Sequence, residues 1–237
     1  MPVTRARYDG HAEWYDGWNK PHAERNAAEI RDLLGPGTGL CLDLGCGGGL
    51  YFGVLGATGR TVVGLDLSAD QLRIARGRSR RIVQGDAAAL PFADGTFPAV
   101  AALWISTDVE DFAAVLLEVA RVLAPGGLVL CYGAHPCFNG PHAEWQDDGG
   151  MRAHPTYRLA GWHPEAPWWG PFVRRRVGMR HHPLADVLNA FIDAGLLIER
   201  VAEFGDRPVP VNLAIRARKQ PAVAGRTHPG GQPAAGR

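Results

Sequence analysis

The 237-residue chain has little cysteine, no long apolar run and no excess of either charge. Its four cysteines (Cys41, Cys46, Cys131, Cys137) form no C-x-x-C pair, which excludes a zinc clip or a thioredoxin-type motif. They read as reduced thiols of a cytoplasmic protein. No run of about 18 apolar residues is available to cross a bilayer, and the opening MPVTRARYDG lacks the apolar region of a secretory leader. Lys+Arg 25 against Asp+Glu 24 gives a net charge of +1, so neither nucleic acid nor an anionic membrane is expected as a partner. No repeat of about 20–50 residues occurs. What is abundant is glycine (31) and proline (18) in a chain that is 46% hydrophobic, the composition of a globular protein rich in turns.

Pro21 suits the first turn of a helix over 21–34, which Gly35-Pro36-Gly37 ends. A buried strand at Leu40–Leu44, the loop Gly45-Cys46-Gly47-Gly48-Gly49 and an apolar segment from Leu50 to Leu55 read as strand, loop, helix. Further strands are expected at Thr61–Asp66, Arg81–Gln84, Ala99–Leu103 and Leu128–Tyr132, with Ser68 capping a helix at 69–77. Phe112, Val115, Leu116, Val119 and Leu123 form one helical face. A helix around 184–192 closes at Gly195, and Leu196–Val201 with Val209–Arg216 form an antiparallel pair. This alternation predicts a doubly wound α/β fold with a mainly parallel seven-stranded sheet. One domain spans 1–219; the Pro/Gly/Ala-rich 220–237 is expected to be a disordered tail.

In an open parallel sheet the ligand sits beyond the carboxyl ends of the strands. Those places hold Asp43-x-Gly45-x-Gly47, Asp66, Gly85-Asp86, Leu103-Trp104 and Gly133-Ala134-His135. A glycine loop followed by an acid after the second strand suits an adenosine cofactor. The dinucleotide fingerprint would need glycine where Leu50 stands, and Asp43 beside the loop suits a cationic ammonium better than a pyrophosphate.

Leu42-Asp43-Leu44-Gly45-Cys46-Gly47-Gly48-Gly49, Gly64-Leu65-Asp66-Leu67-Ser68, Gln84-Gly85-Asp86-Ala87, Leu90-Pro91-Phe92-Ala93-Asp94-Gly95-Thr96-Phe97 and Arg121-Val122-Leu123-Ala124-Pro125-Gly126-Gly127 stand in order. Together they resemble the motifs of class I S-adenosylmethionine-dependent methyltransferases, most closely the ubiquinone/menaquinone-biosynthesis type and other small-molecule enzymes. The resemblance covers residues 8–134 well and 181–219 loosely. It implies a Rossmann-like methyltransferase fold with S-adenosyl-L-methionine as cofactor. Gly45 and Gly47 would pass under the methionine part, with Asp43 serving its ammonium and the backbone near Leu103 facing it. Asp66 would hold the ribose, Leu67 the adenine face, and Asp86 with Ala87 the adenine edge, while Tyr15 belongs to a segment that closes over the cofactor. Pro98 replaces an aspartate usual in the family, and Thr107-Asp108 stands where the subgroup commonly has histidines.

Residues 135–182 carry six of the nine histidines and four of the seven tryptophans. So long a connection without periodicity is expected to be a lid over the methyl acceptor, its tryptophans packing the lid or touching substrate. His135, after the fifth strand, is the first candidate for a general base, against a role as a lid hydrogen bond. Asp108 is the second candidate, against a helix cap. His142 with Glu144, and His181-His182, read as lid or surface hydrogen bonding rather than metal ligands, and no metal is expected. The Arg174-Arg175-Arg176 run reads as a solvated face, with an anionic acceptor group as the other reading. The expected activity is methyl transfer to a hydroxyl or amine of a small aromatic or apolar metabolite, by a monomer or homodimer. Two alternatives stay open: an S-adenosylmethionine-binding protein of this fold without methyl transfer, and a nicotinamide-dependent reductase.

Overall fold

The computed structural model describes residues 6–170 and 173–221. The expected tail lies, from residue 222 on, outside the described residues. The first element departs from expectation. Helix α1 spans Ala12–Leu34, with Pro21 inside it. A proline there removes one helical hydrogen bond and ordinarily marks a start. The extra turns are held by tertiary contacts instead. Arg73 pairs with Glu13, and Arg78 Nη1 and Nη2 lie 2.6 and 2.7 Å from the two Asp16 oxygens.

The elements that follow are β1 (Leu40–Leu44), α2 (Phe52–Gly56), β2 (Thr61–Asp66), α3 (Ala69–Ala75), β3 (Ile82–Gln84), β4 (Phe97–Leu103), α4 (Phe112–Val122) and β5 (Leu123–Ala134). The segment expected to be irregular forms β6 (Ala143–Trp145), β7 (Met151–Ala153), β8 (Gly161–His163), α5 (Val173–Val177) and β9 (Met179–His181). Then come α6 (Leu184–Asp193), β10 (Leu196–Phe204) and β11 (Asn212–Lys219).

Seven strands form one sheet in the order β10-β11-β5-β4-β1-β2-β3. β3, β2, β1, β4 and β5 pair in parallel, while β11 runs antiparallel to both β5 and β10, as the reading of the last two strands anticipated. Apolar side chains fill both faces of the sheet. On one, Phe112, Val115, Leu116 and Val119 of α4 pack with Phe191 of α6 over β4 and β5; on the other, Ile30 and Leu34 of α1 pack over Cys41, Leu130 and Tyr132. Two hairpins, β6–β7 and β8–β9, stand outside the sheet. No helix among the described residues is long and apolar enough to cross a membrane.

Candidate active site

After β1 the chain turns through Gly45 and Gly47, whose φ values of 73° and 52° fall in the left-handed region that favours glycine. The turn is tied to the end of β2. Gly45 and Cys46 donate their N–H groups to Leu65 O at 2.8 and 2.9 Å, and Gly47 donates to Asp66 Oδ2 at 2.8 Å. The other carboxylate oxygen of Asp66 accepts from Ser68 N, also at 2.8 Å. Burial raises the Asp66 pKa, and these two backbone donors oppose that shift.

Gly45, Gly47, Asp66, Leu67, Asp86, Ala87 and Leu103 all line one cleft of about 340 Å³, so most of the residues implied by the family resemblance converge. Asp86 Oδ1 accepts from Ala88 N at 2.9 Å, which fixes the turn after β3. Asp43 stands elsewhere. It is 1% exposed beneath the glycine loop, its Oδ2 has no partner among the described residues, and burial followed by the charge of Asp66 pushes its pKa up to about 8. Gln71 of α3 also lines the cleft, 2% exposed, with neither side-chain amide atom paired. A buried acid and a buried amide lacking partners fit a cationic, hydrogen-bonding ligand such as an amino-acid sulfonium. Gln71 was missed in the sequence because nothing separates it from an ordinary helical glutamine.

The cleft is roofed from the N-terminal side. Tyr8 and Tyr15 pack together with ring centroids 4.6 Å apart and planes tilted by 59°, and both line the cleft. Ser68 Oγ donates to Asp9 Oδ1 at 2.5 Å and Gly10 N to Asp70 Oδ2 at 2.8 Å. Burial and the neighbouring Asp108 raise the pKa of both tyrosines, keeping the phenols neutral.

Asp108 lines the cleft but does not cap the following helix; Asp111 does, accepting from Ala114 N at 2.9 Å. Asp108 Oδ1 instead accepts from Arg174 Nη1 at 2.7 Å, and Arg174 Nη2 reaches Thr107 Oγ1 at 2.7 Å. Burial disfavours the charge on Arg174, but Asp108 and Tyr8 outweigh it and raise its pKa. The run 174–176 is therefore not uniformly solvated. Arg174 turns inward with a side chain 19% exposed, whereas Arg176 lies 4.2 Å over the Trp14 ring.

His135 does not fit the role of a base. Its Nδ1 accepts from Cys137 N at 3.1 Å, so Nε2 carries the proton and donates to Glu203 Oε1 at 2.8 Å. With both nitrogens engaged and the ring 2% exposed, His135 lines neither the cleft nor the larger cavity beyond it. It fastens the start of the insertion to β10. His142 and His181 likewise donate Nε2–H to backbone oxygens, of Cys137 (2.9 Å) and Tyr157 (2.7 Å), and Glu144 Oε2 lies 2.8 Å from His154 Nε2.

The larger cavity, of about 940 Å³, adjoins the cleft and shares Tyr15 and Trp104 with it as walls. Trp104, at the end of β4, has φ 65°, a conformation that is strained for a bulky side chain. Its N–H bonds Tyr132 O at 2.6 Å and its indole Nε1 donates to Tyr51 OH at 2.9 Å, which together hold it there. Trp145, Trp168, Trp169 and Arg174 of the insertion complete the far wall.

A family described as "Methyltransferase domain" matches residues 42–131. A demethylmenaquinone methyltransferase of Corynebacterium kroppenstedtii is 39% identical over 119 residues, 48% of this chain and 50% of that protein. A fatty-acid O-methyltransferase of Mycolicibacterium smegmatis is 41% identical over 111 residues, 44% of this chain and 40% of that protein. The chain thus spans about half the length of the curated relatives it matches. The crystal structure of an S-adenosylmethionine-dependent methyltransferase from Mesorhizobium loti is similar with a TM-score of 0.69 and 26% identity, covering 83% of this chain and 99% of that one. With the glycine loop, the acids after the strands and the sheet order on which they sit, these similarities give residues 42–131 a methyltransferase domain and the chain the Rossmann-like fold of S-adenosylmethionine-dependent methyltransferases.

Proposed function

We propose that the chain binds S-adenosyl-L-methionine in the 340 Å³ cleft and methylates a hydroxyl or amine of a small metabolite held in the 940 Å³ cavity. The observation that carries this is the shared wall. Tyr15 and Trp104 border both spaces, so a group leaving the cleft at that point enters the cavity. When bound, the cofactor supplies an electrophilic methyl group on a sulfonium sulfur that becomes neutral on transfer.

The residues divide by position. Asp66 accepts from the ribose hydroxyls with the lone pairs left by Gly47 and Ser68. Leu67, Asp86 and Ala87 hold the adenine, and Gly45, Gly47 and the backbone at Leu103 hold the methionine part. Asp43, buried behind the loop with an unpaired Oδ2 and protonated in the free fold, would carry its charge once the cationic ammonium of the cofactor stands over the loop. Tyr8 and Tyr15, neutral and packed over the cleft, exclude water. Asp108 is occupied by Arg174 and acts as an anchor for the insertion. The segment 135–182 serves as the lid over the acceptor, because it brings three tryptophans and Arg174 to the cavity. With no free base at His135, the rate would come mainly from holding the acceptor about 3–3.5 Å from the methyl carbon, an effect worth several kcal/mol.

Titration of the purified chain with S-adenosylhomocysteine and NADH tests the cofactor, and mass spectrometry of phenols and amines incubated with the chain and S-adenosylmethionine tests the transfer. S-adenosylhomocysteine should bind and a product 14 Da heavier should form, 14 Da being about the mass of one added CH₂. NADH binding without S-adenosylhomocysteine binding overturns the reading. Binding with no product across the acceptors favours a protein that holds the cofactor without transferring its methyl.

A further inference from the structure

A helix beside a hydrophobic sheet ordinarily turns apolar residues inward. Over two-thirds of its length α1 does something else. Tyr15, Asn19, His22, Asn26 and Glu29 recur at helical spacing and all line the larger cavity, with Asn19 and Asn26 only 8% and 6% exposed. Three of these side chains hold one protein partner each, Asn19 Nδ2 reaching Tyr15 OH at 3.4 Å, Asn26 bonding Tyr51, and Glu29 Oε2 accepting from Tyr132 OH at 2.6 Å, and each retains further hydrogen-bonding capacity. The stripe is also long. At about 1.5 Å rise per residue, the fourteen steps from Tyr15 to Glu29 carry the stripe about 21 Å along the cavity from the wall it shares with the cofactor cleft.

Two residues that line this space each carry a nitrogen with no partner among the described residues. His22 Nδ1 lies 3.1 Å from Trp18 O; a carbonyl only accepts, so Nδ1 carries the proton and Nε2 keeps a lone pair with no partner among the described residues. In the insertion, Trp168 has one ring face covered by His154, at 3.7 Å and 4° between planes, and its indole N–H is buried with no partner among the described residues. Trp145 and Trp169 extend that aromatic wall, and Arg207 lies 4.4 Å over Trp145 near its far end.

We infer that the acceptor is an elongated molecule with a flat aromatic body and a hydroxyl-rich extension, as in a glycosylated phenol; this deepens the methyltransferase reading and rests on it. The aromatic part lies at the Tyr15–Trp104 end, where transfer occurs, and the hydroxyls run along Asn19, His22, Asn26 and Glu29 between that stripe and the tryptophans. An alkyl chain in the same place would leave the remaining hydrogen-bonding capacity of the stripe, His22 Nε2 first, without partners, and a single small ring would leave most of the length empty.

Calorimetric titration of the full chain, with and without S-adenosylhomocysteine, is made with rutin, its aglycone quercetin and palmitate. Rutin should bind about tenfold more tightly than either of the others, and His22→Ala should cut rutin affinity about tenfold while quercetin stays within twofold. Retained S-adenosylhomocysteine binding shows that this variant is folded. Equal or tighter binding of quercetin or palmitate, or no binding of any of the three, overturns the inference. Loss is separable from failure of the cofactor reading: that reading fails if S-adenosylhomocysteine itself does not bind, while the preference among the three probes is read independently from the titrations without it.

Discussion

Gly47 donates its backbone N–H to Asp66 Oδ2 at 2.8 Å, so the loop after β1 and the acid after β2 form one unit. Position 47 needs a left-handed backbone to make this bond, and the acid in turn is held with its remaining lone pairs toward the cleft. Asp66→Asn replaces one charged acceptor by an amide that donates. Binding of S-adenosylhomocysteine should weaken by about 1–3 kcal/mol, about 5- to 150-fold, in a titration. Unchanged affinity would remove Asp66 from the ribose.

The pair Arg174–Asp108, with side chains 19% and 20% exposed, joins the insertion to the end of β4. Removing one partner strands the other. Arg174→Ala should lower stability by about 2–3 kcal/mol in chemical denaturation, below the ~3–5 kcal/mol of a fully buried pair because water reaches both side chains. The double variant Arg174→Ala/Asp108→Ala should recover part of that loss, and a purely additive double variant would show that the pair does not couple.

Asp43 carries a stability dependence on pH that follows from its surroundings. Its pKa is about 8 in the fold against 3.8 ordinarily, with burial as the main cause, so the fold binds a proton that the unfolded chain releases. That contribution is complete below about pH 4 and is lost as pH rises to about 8. Asp43→Asn should melt close to the parent at pH 4.5 and above it at pH 8, by an amount on the order of a few kcal/mol. Cofactor binding should suffer in the same variant. A parent and variant that melt alike at pH 8 would refute the burial argument.

His181 behaves in the opposite sense. It is 2% exposed and burial lowers its pKa to about 4, so the unfolded chain takes up a proton first. Its share of stability is present above pH 6.5 and is lost as pH falls from there to about 4. Since His181 Nε2 bonds Tyr157 O, the insertion should become sensitive to proteases in that window before the sheet unfolds. His181→Gln should shrink the pH dependence of cleavage, and an equal rate for both proteins would count against the assignment.

The parallel sheet and the cleft were legible because apolar runs, glycines and acids recur where strands end. β1 and β2 have the expected limits, and Ser68 caps α3 as expected, accepting from Gln71 N. What sequence could not supply was long-range pairing. Pro21 hid the first turns of α1, which lean on Arg73 and Arg78 some sixty residues away. Asp108 reads in the sequence as a base or a helix cap, but Arg174, arriving 66 residues later, takes its carboxylate, and Asp111 supplies the cap. His135 has the place of a base after β5, but Glu203 and Cys137 take both its nitrogens. Nothing local marks Trp104 as left-handed.

Of the described side chains around the larger cavity, Trp104 alone belongs to the stretch 42–131 shared with the family. The remainder comes from α1, the last residue of β5, the insertion, the turn before β11 and the first residue of β11. On the proposed reading, donor recognition and acceptor recognition are encoded largely in separate parts of the gene product. Evolution is free to redraw one while leaving the other untouched, and kinship measured across the common stretch is silent about which molecule receives the methyl.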